Sequence, residues 1–290
     1  MKPPPFDYVV ADSVESAVDL LRSAGDDAKL LAGGQSLVPL MNFRLARPSL
    51  LIDVNRIPRL ADIGAGADAI RIGALVRHRK LERSPTLASH LPVLSEAAGW
   101  IAHPQVRTRG TIGGSIAHAD ASAELPVVLA ALEAVATIQS PGAVQEIPVP
   151  DLVAGHFLNT LAQDEMITGF EIPRLPPGSG SAFAEFARRH GDYAIGGAVS
   201  IVTLDRGRCT RARIVALGGG PCPVRCTEAE TALIGTSVSA ADAAAAAESA
   251  LPSLSPMATA HGSPGYRRQV IASMIRRTVT TAAERARSSR

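Results

Sequence analysis

Two pairs of adjacent glycines occupy positions where chemistry can be done. The first lies in Ala32-Gly33-Gly34-Gln35-Ser36-Leu37, directly after the apolar run Lys29-Leu30-Leu31. A phosphate needs several backbone N–H groups aimed at one spot, with no side chain in the way. Consecutive glycines at a strand-to-helix turn supply this, and the start of the helix adds a favourable dipole. Ser36 offers a hydroxyl donor and Lys29 a compensating charge. A tight turn with no ligand explains one such pair equally well. The spacing is neither Gly-x-Gly-x-x-Gly nor a Gly-Lys-Ser/Thr turn, so neither a Rossmann nor a Walker A site is indicated.

The second pair, in Thr111-Ile112-Gly113-Gly114-Ser115, repeats the design: a hydroxyl, two glycines, another hydroxyl. Asp120 and Glu124 follow it, and carboxylates there can accept hydrogen bonds from ribose hydroxyls. Two such turns about 80 residues apart suit a ligand with two phosphates held between two structural units. Other candidates carry less chemistry. His103, His118 and His190 fit no metal-ligand spacing, and no metal is expected. Gly218-Gly219-Gly220-Pro221 is a third glycine-rich turn, which a sharp reversal after a strand explains as well as a ligand does. The cysteines are Cys209, Cys222 and Cys226, an odd number with no Cys-x-x-Cys. That argues against a disulfide framework, a self-held iron–sulfur cluster or a zinc knuckle, and for a reducing compartment.

The elements that must position these turns are legible nearby. Tyr8-Val9-Val10 reads as a strand. Asp12 and Ser13 are N-cap candidates, with Glu15 three after Asp12 as in a capping box. Val14, Ala17, Val18 and Leu21 follow helical spacing, and Gly25 suits the position after a helix end. A strand at 29–31, a short helix at 37–43 and a strand at 50–54 complete a first α/β unit, residues 1–55. A second unit, 56–176, holds a strand at 70–72, a helix at 91–100, an extended stretch His103-Pro104-Gln105-Val106-Arg107, a strand pair around Ser140-Pro141-Gly142-Ala143 and a strand at 166–172. The stretch Pro173 to Gly180 is a linker. Beyond it, 177–290 reads as antiparallel strands at 181–188, 197–204 and 211–217, then helices at 227–234, 240–247 and 265–285. Strands first and helices after imply an α+β domain.

Composition bounds the rest. Hydrophobic residues make up 46% and charged residues 19% of the 290, which is globular rather than disordered. Aromatics are only 3%, too few for base-stacking platforms, and the net charge of +2 leaves no basic footprint, so nucleic acid is not expected as a partner. No apolar run approaches the ~18 residues needed to span a bilayer, and the start of the chain lacks a secretory h-region. A cytoplasmic location is expected.

With both motifs in view, the chain resembles the FAD-binding, or medium, subunit of molybdenum hydroxylases, the carbon monoxide dehydrogenase and xanthine dehydrogenase family. The resemblance rests on Ala32 to Leu37 and on Thr111-Ile112-Gly113-Gly114-Ser115-Ile116-Ala117-His118-Ala119-Asp120. It extends to His103 to Arg107 and to Arg188-Arg189-His190-Gly191-Asp192-Tyr193-Ala194. It implies two α/β subdomains of a vanillyl-alcohol-oxidase-like (PCMH-type) FAD fold clasping the cofactor, plus a C-terminal α+β flavoprotein domain. It implies that Ala32, Gly33, Gly34, Gln35, Ser36 and Leu37 wrap the pyrophosphate with Thr111, Gly113, Gly114 and Ser115. Asp120 and Glu124 then lie near the ribose and adenine, Lys29 and His103 lie near the cofactor, and Tyr193 approaches the isoalloxazine. Some relatives of this fold attach flavin covalently, but the resembled subunits bind FAD without a covalent bond, and none is expected at His103. Ser115 stands where many relatives have Asn and reaches less far. The resemblance further implies a molybdopterin-containing large subunit and a [2Fe–2S] small subunit as partners, in a dimer of heterotrimers, with electrons passing from the clusters through FAD to an external acceptor. The alternative is a stand-alone FAD-dependent oxidase or reductase with its own substrate pocket.

Overall fold

The computed structural model describes residues 2–288. The chain opens with β1 (Asp7–Val10), α1 (Val14–Ala24), β2 (Ala28–Leu31), α2 (Leu37–Asn42) and β3 (Leu50–Asp53). These strands form a parallel sheet in the order β1-β3-β2. Helix α1 buries Ala17, Val18 and Leu21 as a stripe, which is why its apolar residues recur at helical spacing. Its cap is Ser13, whose side chain accepts from the Ser16 N–H at 3.0 Å, rather than an Asp12–Glu15 box. Gly25 ends the helix at φ 67°, and its N–H returns to the Leu21 carbonyl.

The next strands are β4 (Ile63–Ala65) and β5 (Ala69–Gly73), followed by α3 (His78–Arg83), α4 (Pro85–His90), α5 (Pro92–Trp100), α6 (Pro104–Arg107), α7 (Ile112–His118) and α8 (Glu124–Ala131). Then come β6 (Val135–Ser140), β7 (Ala143–Pro148), α9 (Val149–Leu152), β8 (Val153–Gly155), β9 (Leu158–Asn159) and β10 (Met166–Pro173). A five-stranded antiparallel sheet, β4-β5-β10-β6-β7, brings β10 back between β5 and β6. The stretch at 103–107 differs from its extended expectation. His103 alone is extended (φ −112°, ψ 162°), as a residue before proline should be, while Pro104 sits at the first position of a helical turn where its missing N–H costs nothing.

The remaining strands are β11 (Ser179–Phe186), β12 (Gly196–Asp205), β13 (Arg208–Leu217) and β14 (Val224–Arg225), antiparallel in that order. Helices α10 (Thr227–Leu233), α11 (Ala240–Ala250) and α12 (Pro264–Ser288) follow. This third sheet is buried on both faces. Phe183, Val199, Ile201, Val215 and Leu217 join a core with Leu94 and Leu129 of α5 and α8. Ala182, Ala198, Val202 and Ile214 face the alanine-rich side of α11 and α12. Small side chains there let α12 lie close, and Ser200 meets Thr278 of that helix at 2.7 Å. Among the described residues no helix is long and apolar enough to cross a membrane.

Candidate functional site

The first glycine turn is the direct continuation of β2 into α2. Within the described residues, no protein acceptor takes the N–H groups of Gly33, Gly34, Gln35 or Ser36. Four adjacent unpaired donors on residues that border a cavity are what a backbone anion site requires. Gly34 is held at φ 71°, a conformation that side chains disfavour. Gly33 answers to a different need. A Cβ there would overlap the Arg109 carbonyl oxygen and come within 2.8 Å of Gly110 Cα. The two glycine turns pack backbone to backbone, and Gly33 is the contact.

The second turn is built otherwise. Thr111 is the N-cap of α7, and its Oγ1 accepts from the Gly114 N–H at 3.2 Å. The Gly113 N–H donates to Ala74 at 2.9 Å and that of Ser115 to Thr111 at 3.0 Å. A Cβ on Gly113 would lie 2.7 Å from Ala74 Cβ. These N–H groups are committed to the protein, so the turn offers a ligand its Ser115 hydroxyl rather than a second set of unpaired donors.

Both turns line one cavity of about 630 Å³, within the usual range for small-molecule and cofactor sites. Ala32, Gly33, Gly34, Gln35, Ser36, Leu37, Thr111, Gly113, Gly114 and Ser115 all border it, with Lys29, Asp120, Glu124 and Tyr193. Of the residues expected to meet the cofactor, only His103 is absent from the lining. It stands behind Gly191, whose Cβ would fall 2.5 Å from the His103 ring, and so props the loop that carries Tyr193.

The cavity's carboxylates are unequally buried. Asp120 is 6% exposed and accepts from the Ser122 N–H at 2.8 Å. Glu124 is pushed up to about 7, first by desolvation and then by the Asp120 charge. Tyr193 as a residue is 69% exposed, but its phenol is pushed up to about 12 by desolvation and then by the nearby Asp120 charge. At the seam between the third sheet and the cavity-bearing units lies Glu185, pushed up to about 8 by burial and by Glu124. Neither of its carboxyl oxygens has a hydrogen-bond partner among the described residues.

Several contributors gave no sequence signal. His78 borders the cavity at 6% exposure, and burial lowers it to about 4, so it is neutral. Its Nε2 donates to the Thr111 carbonyl at 2.9 Å and pins the second turn. Asn159 donates to the Ala117 carbonyl at 2.6 Å from the short β8–β9 hairpin. Asn55 and Arg77 lie behind the turns rather than in the cavity. A polar Asn two residues beyond the apolar strand β3 was the one available clue. Cys226 is buried, and its thiol is pushed up to about 12 by burial and by Glu230, which leaves it unreactive.

A dinucleotide suits the chemistry of this lining: unpaired backbone N–H groups, hydroxyls, a lysine and carboxylates border one cavity. Comparison with known proteins agrees. Residues 4–175 match the family model described as the FAD binding domain in molybdopterin dehydrogenase, and residues 181–282 match the CO dehydrogenase flavoprotein C-terminal domain. The chain is 59% identical, over 100% of its length and 98% of the relative's, to the 6-hydroxypseudooxynicotine dehydrogenase complex subunit alpha of Paenarthrobacter nicotinovorans. It is 42% identical to the nicotine 6-hydroxylase medium subunit of the same organism, over 98% of this chain and 100% of that one. Among solved structures it superposes on a chain of Hydrogenophaga pseudoflava carbon monoxide dehydrogenase lacking the Mo-pyranopterin moiety, with a TM-score of 0.95, 36% identity, and coverage of 98% and 99% of the two chains. With both family models matching across nearly its whole length, the chain belongs to the FAD-binding flavoprotein subunits of the molybdopterin dehydrogenases.

Proposed function

We propose that this protein is the electron-transfer subunit of a molybdenum hydroxylase. It works beside a molybdopterin-containing large subunit and a [2Fe–2S] small subunit in a cytoplasmic dimer of heterotrimers. The observation that carries the reading is the single cavity bordered by both glycine turns. When bound there, FAD supplies the ability to take electrons singly from iron–sulfur clusters and to release them to an external acceptor.

This chain's own residues bind and orient. The N–H groups of Gly33 to Ser36 hold the pyrophosphate, with Ser36 and Ser115 as hydroxyl donors and Lys29 as a nearby cation. Asp120 and Glu124 accept from ribose hydroxyls. Tyr193 covers the cavity mouth from the β11–β12 hairpin and limits water there, while His103 supports its loop. The division of labour follows the three units 1–55, 56–176 and 177–290, the last reaching the cavity through that hairpin. The 59% identity to a subunit of 6-hydroxypseudooxynicotine dehydrogenase along the whole chain favours an N-heterocyclic substrate, hydroxylated in the large subunit.

The test is to express the chain with its neighbouring subunits and purify it both assembled and alone. Flavin should be released on denaturation as FAD from this chain in both preparations. Iron–sulfur and molybdenum signals, and oxidation of 6-hydroxypseudooxynicotine, should appear only in the assembly. If the isolated chain oxidised an organic substrate by itself, the stand-alone oxidase reading would replace this one.

A further inference from the structure

Asn55 and Arg77 tie the two glycine turns together from behind. The Asn55 Nδ2 donates to the Ala32 carbonyl at 2.9 Å and lies 3.2 Å from the Leu31 carbonyl. Its orientation is forced, because a carboxamide oxygen facing those carbonyls would find no donor. Asp53 fixes the residue further, accepting from both its backbone N–H (2.8 Å) and its Nδ2 (2.6 Å), and Asp53 is in turn held by the Tyr8 hydroxyl. The Asn55 Oδ1 accepts from Arg77 Nη2 at 2.5 Å. The other arm of the same guanidinium, Nη1, donates to the Arg109 carbonyl. That carbonyl is the group against which Gly33 packs. Backbone pairing of Arg77 with Thr111, and the His78 N–H on the Gly110 carbonyl at 3.0 Å, anchor the Arg77 segment to the second turn.

Two consequences follow from this chain of bonds. A planar fork that grips both sides fixes the gap between the turns. A hydrogen bond to the Ala32 carbonyl also polarises the peptide whose N–H belongs to Gly33, strengthening that donor. We propose that Arg77 and Asn55 are positioning residues for FAD: together they set the spacing of the two glycine turns and polarise the Gly33 N–H toward the pyrophosphate. This rests on the reading that the turns hold the pyrophosphate.

The experiment is FAD titration of the full-length apo-chain, with phosphorus NMR of the bound cofactor and thermal melting of the apo-form. Arg77→Met should weaken FAD binding roughly ten- to hundredfold and move the pyrophosphate resonances, a change that mere destabilisation would not produce. Arg77→Lys keeps the charge but cannot span both acceptors, so its affinity should fall between. The double variant Asn55→Ala/Arg77→Met should lose no more than the worse single variant, because the two act as one unit. Arg71→Met, which removes an exposed cation paired with Glu171, should change nothing. Wild-type affinity and resonances in Arg77→Lys and Arg77→Met, or multiplying losses in the double variant, would overturn the proposal. Failure of the wild-type chain to bind FAD would instead overturn the reading beneath it.

Discussion

Gly33→Ala should cost both stability and cofactor, through one cause. The added methyl would sit on the Arg109 carbonyl oxygen and 2.8 Å from Gly110 Cα. Both obstacles are backbone, so no side chain can swing aside. Restoring ordinary contact requires the two turns to part by about 1 Å, and such overpacking typically costs about 1–3 kcal/mol. In a chain of this length that lowers Tm by a few degrees, at roughly 2–4 °C per kcal/mol. The separation also lengthens the Arg77 bridge and misaligns the unpaired N–H groups of the first turn, so FAD affinity should fall at least tenfold. Gly64→Ala is the control, since nothing lies within 4 Å of its added carbon. Gly34→Ala separates the two glycine roles. Its Cβ would meet only the Leu31 and Val38 side chains at 3.3 Å, but φ of 71° makes it cost about 1–2 kcal/mol through the backbone. The assay is differential scanning fluorimetry of apo-protein beside FAD titration. A Gly33→Ala variant melting and binding like wild type would refute the backbone-contact account.

Two further outcomes are expected. Glu185 is held protonated up to about 8, well above an unfolded glutamate, so the native state keeps a proton that the unfolded chain releases near pH 4.5. Stability is therefore intact below that pH and declines as pH rises toward 8, by up to about 1.4 kcal/mol per unit. Glu124 adds to the same trend up to about 7. Glu185→Gln should flatten the decline in Tm between pH 5 and 8; curves parallel to wild type would remove Glu185 as its source. Tyr193→Phe should leave FAD bound yet alter the flavin spectrum or its reoxidation rate, and an unchanged spectrum and rate would reduce Tyr193 to a surface ring.

The readable parts of this molecule were those whose cause is local. Ser13 and Gly25 bracket α1 because a cap and a left-handed stop are chemistry of a few adjacent residues. The apolar runs of β12 and β13 read as strands, and the two glycine pairs stood out by their composition alone. What the sequence concealed depends on distant partners. Arg77 is one of many arginines until folding sets it between Asn55 and the Arg109 carbonyl. His78 looks ordinary until Thr111 closes over it. The commitment of the Gly113 N–H to Ala74 cannot be seen from either motif, which is why two turns of like composition behave differently. His103 sits beside a motif in sequence, but the Gly191 loop comes between it and the cavity.

The shared core of the third sheet bears on how reactants reach the cofactor. Phe183, Val199 and Val215 are interlocked with Leu94 and Leu129, so the C-terminal portion cannot swing away as a rigid lid without opening apolar surface to water. The parts of that portion bordering the cavity are Gly191, Asp192 and Tyr193, at the tip of one hairpin. Within this portion, any movement at the cavity edge therefore falls to a loop rather than to a hinge. The natural tempo of such a loop is nanoseconds to microseconds, while the core that joins the third sheet to α5 and α8 stays shut.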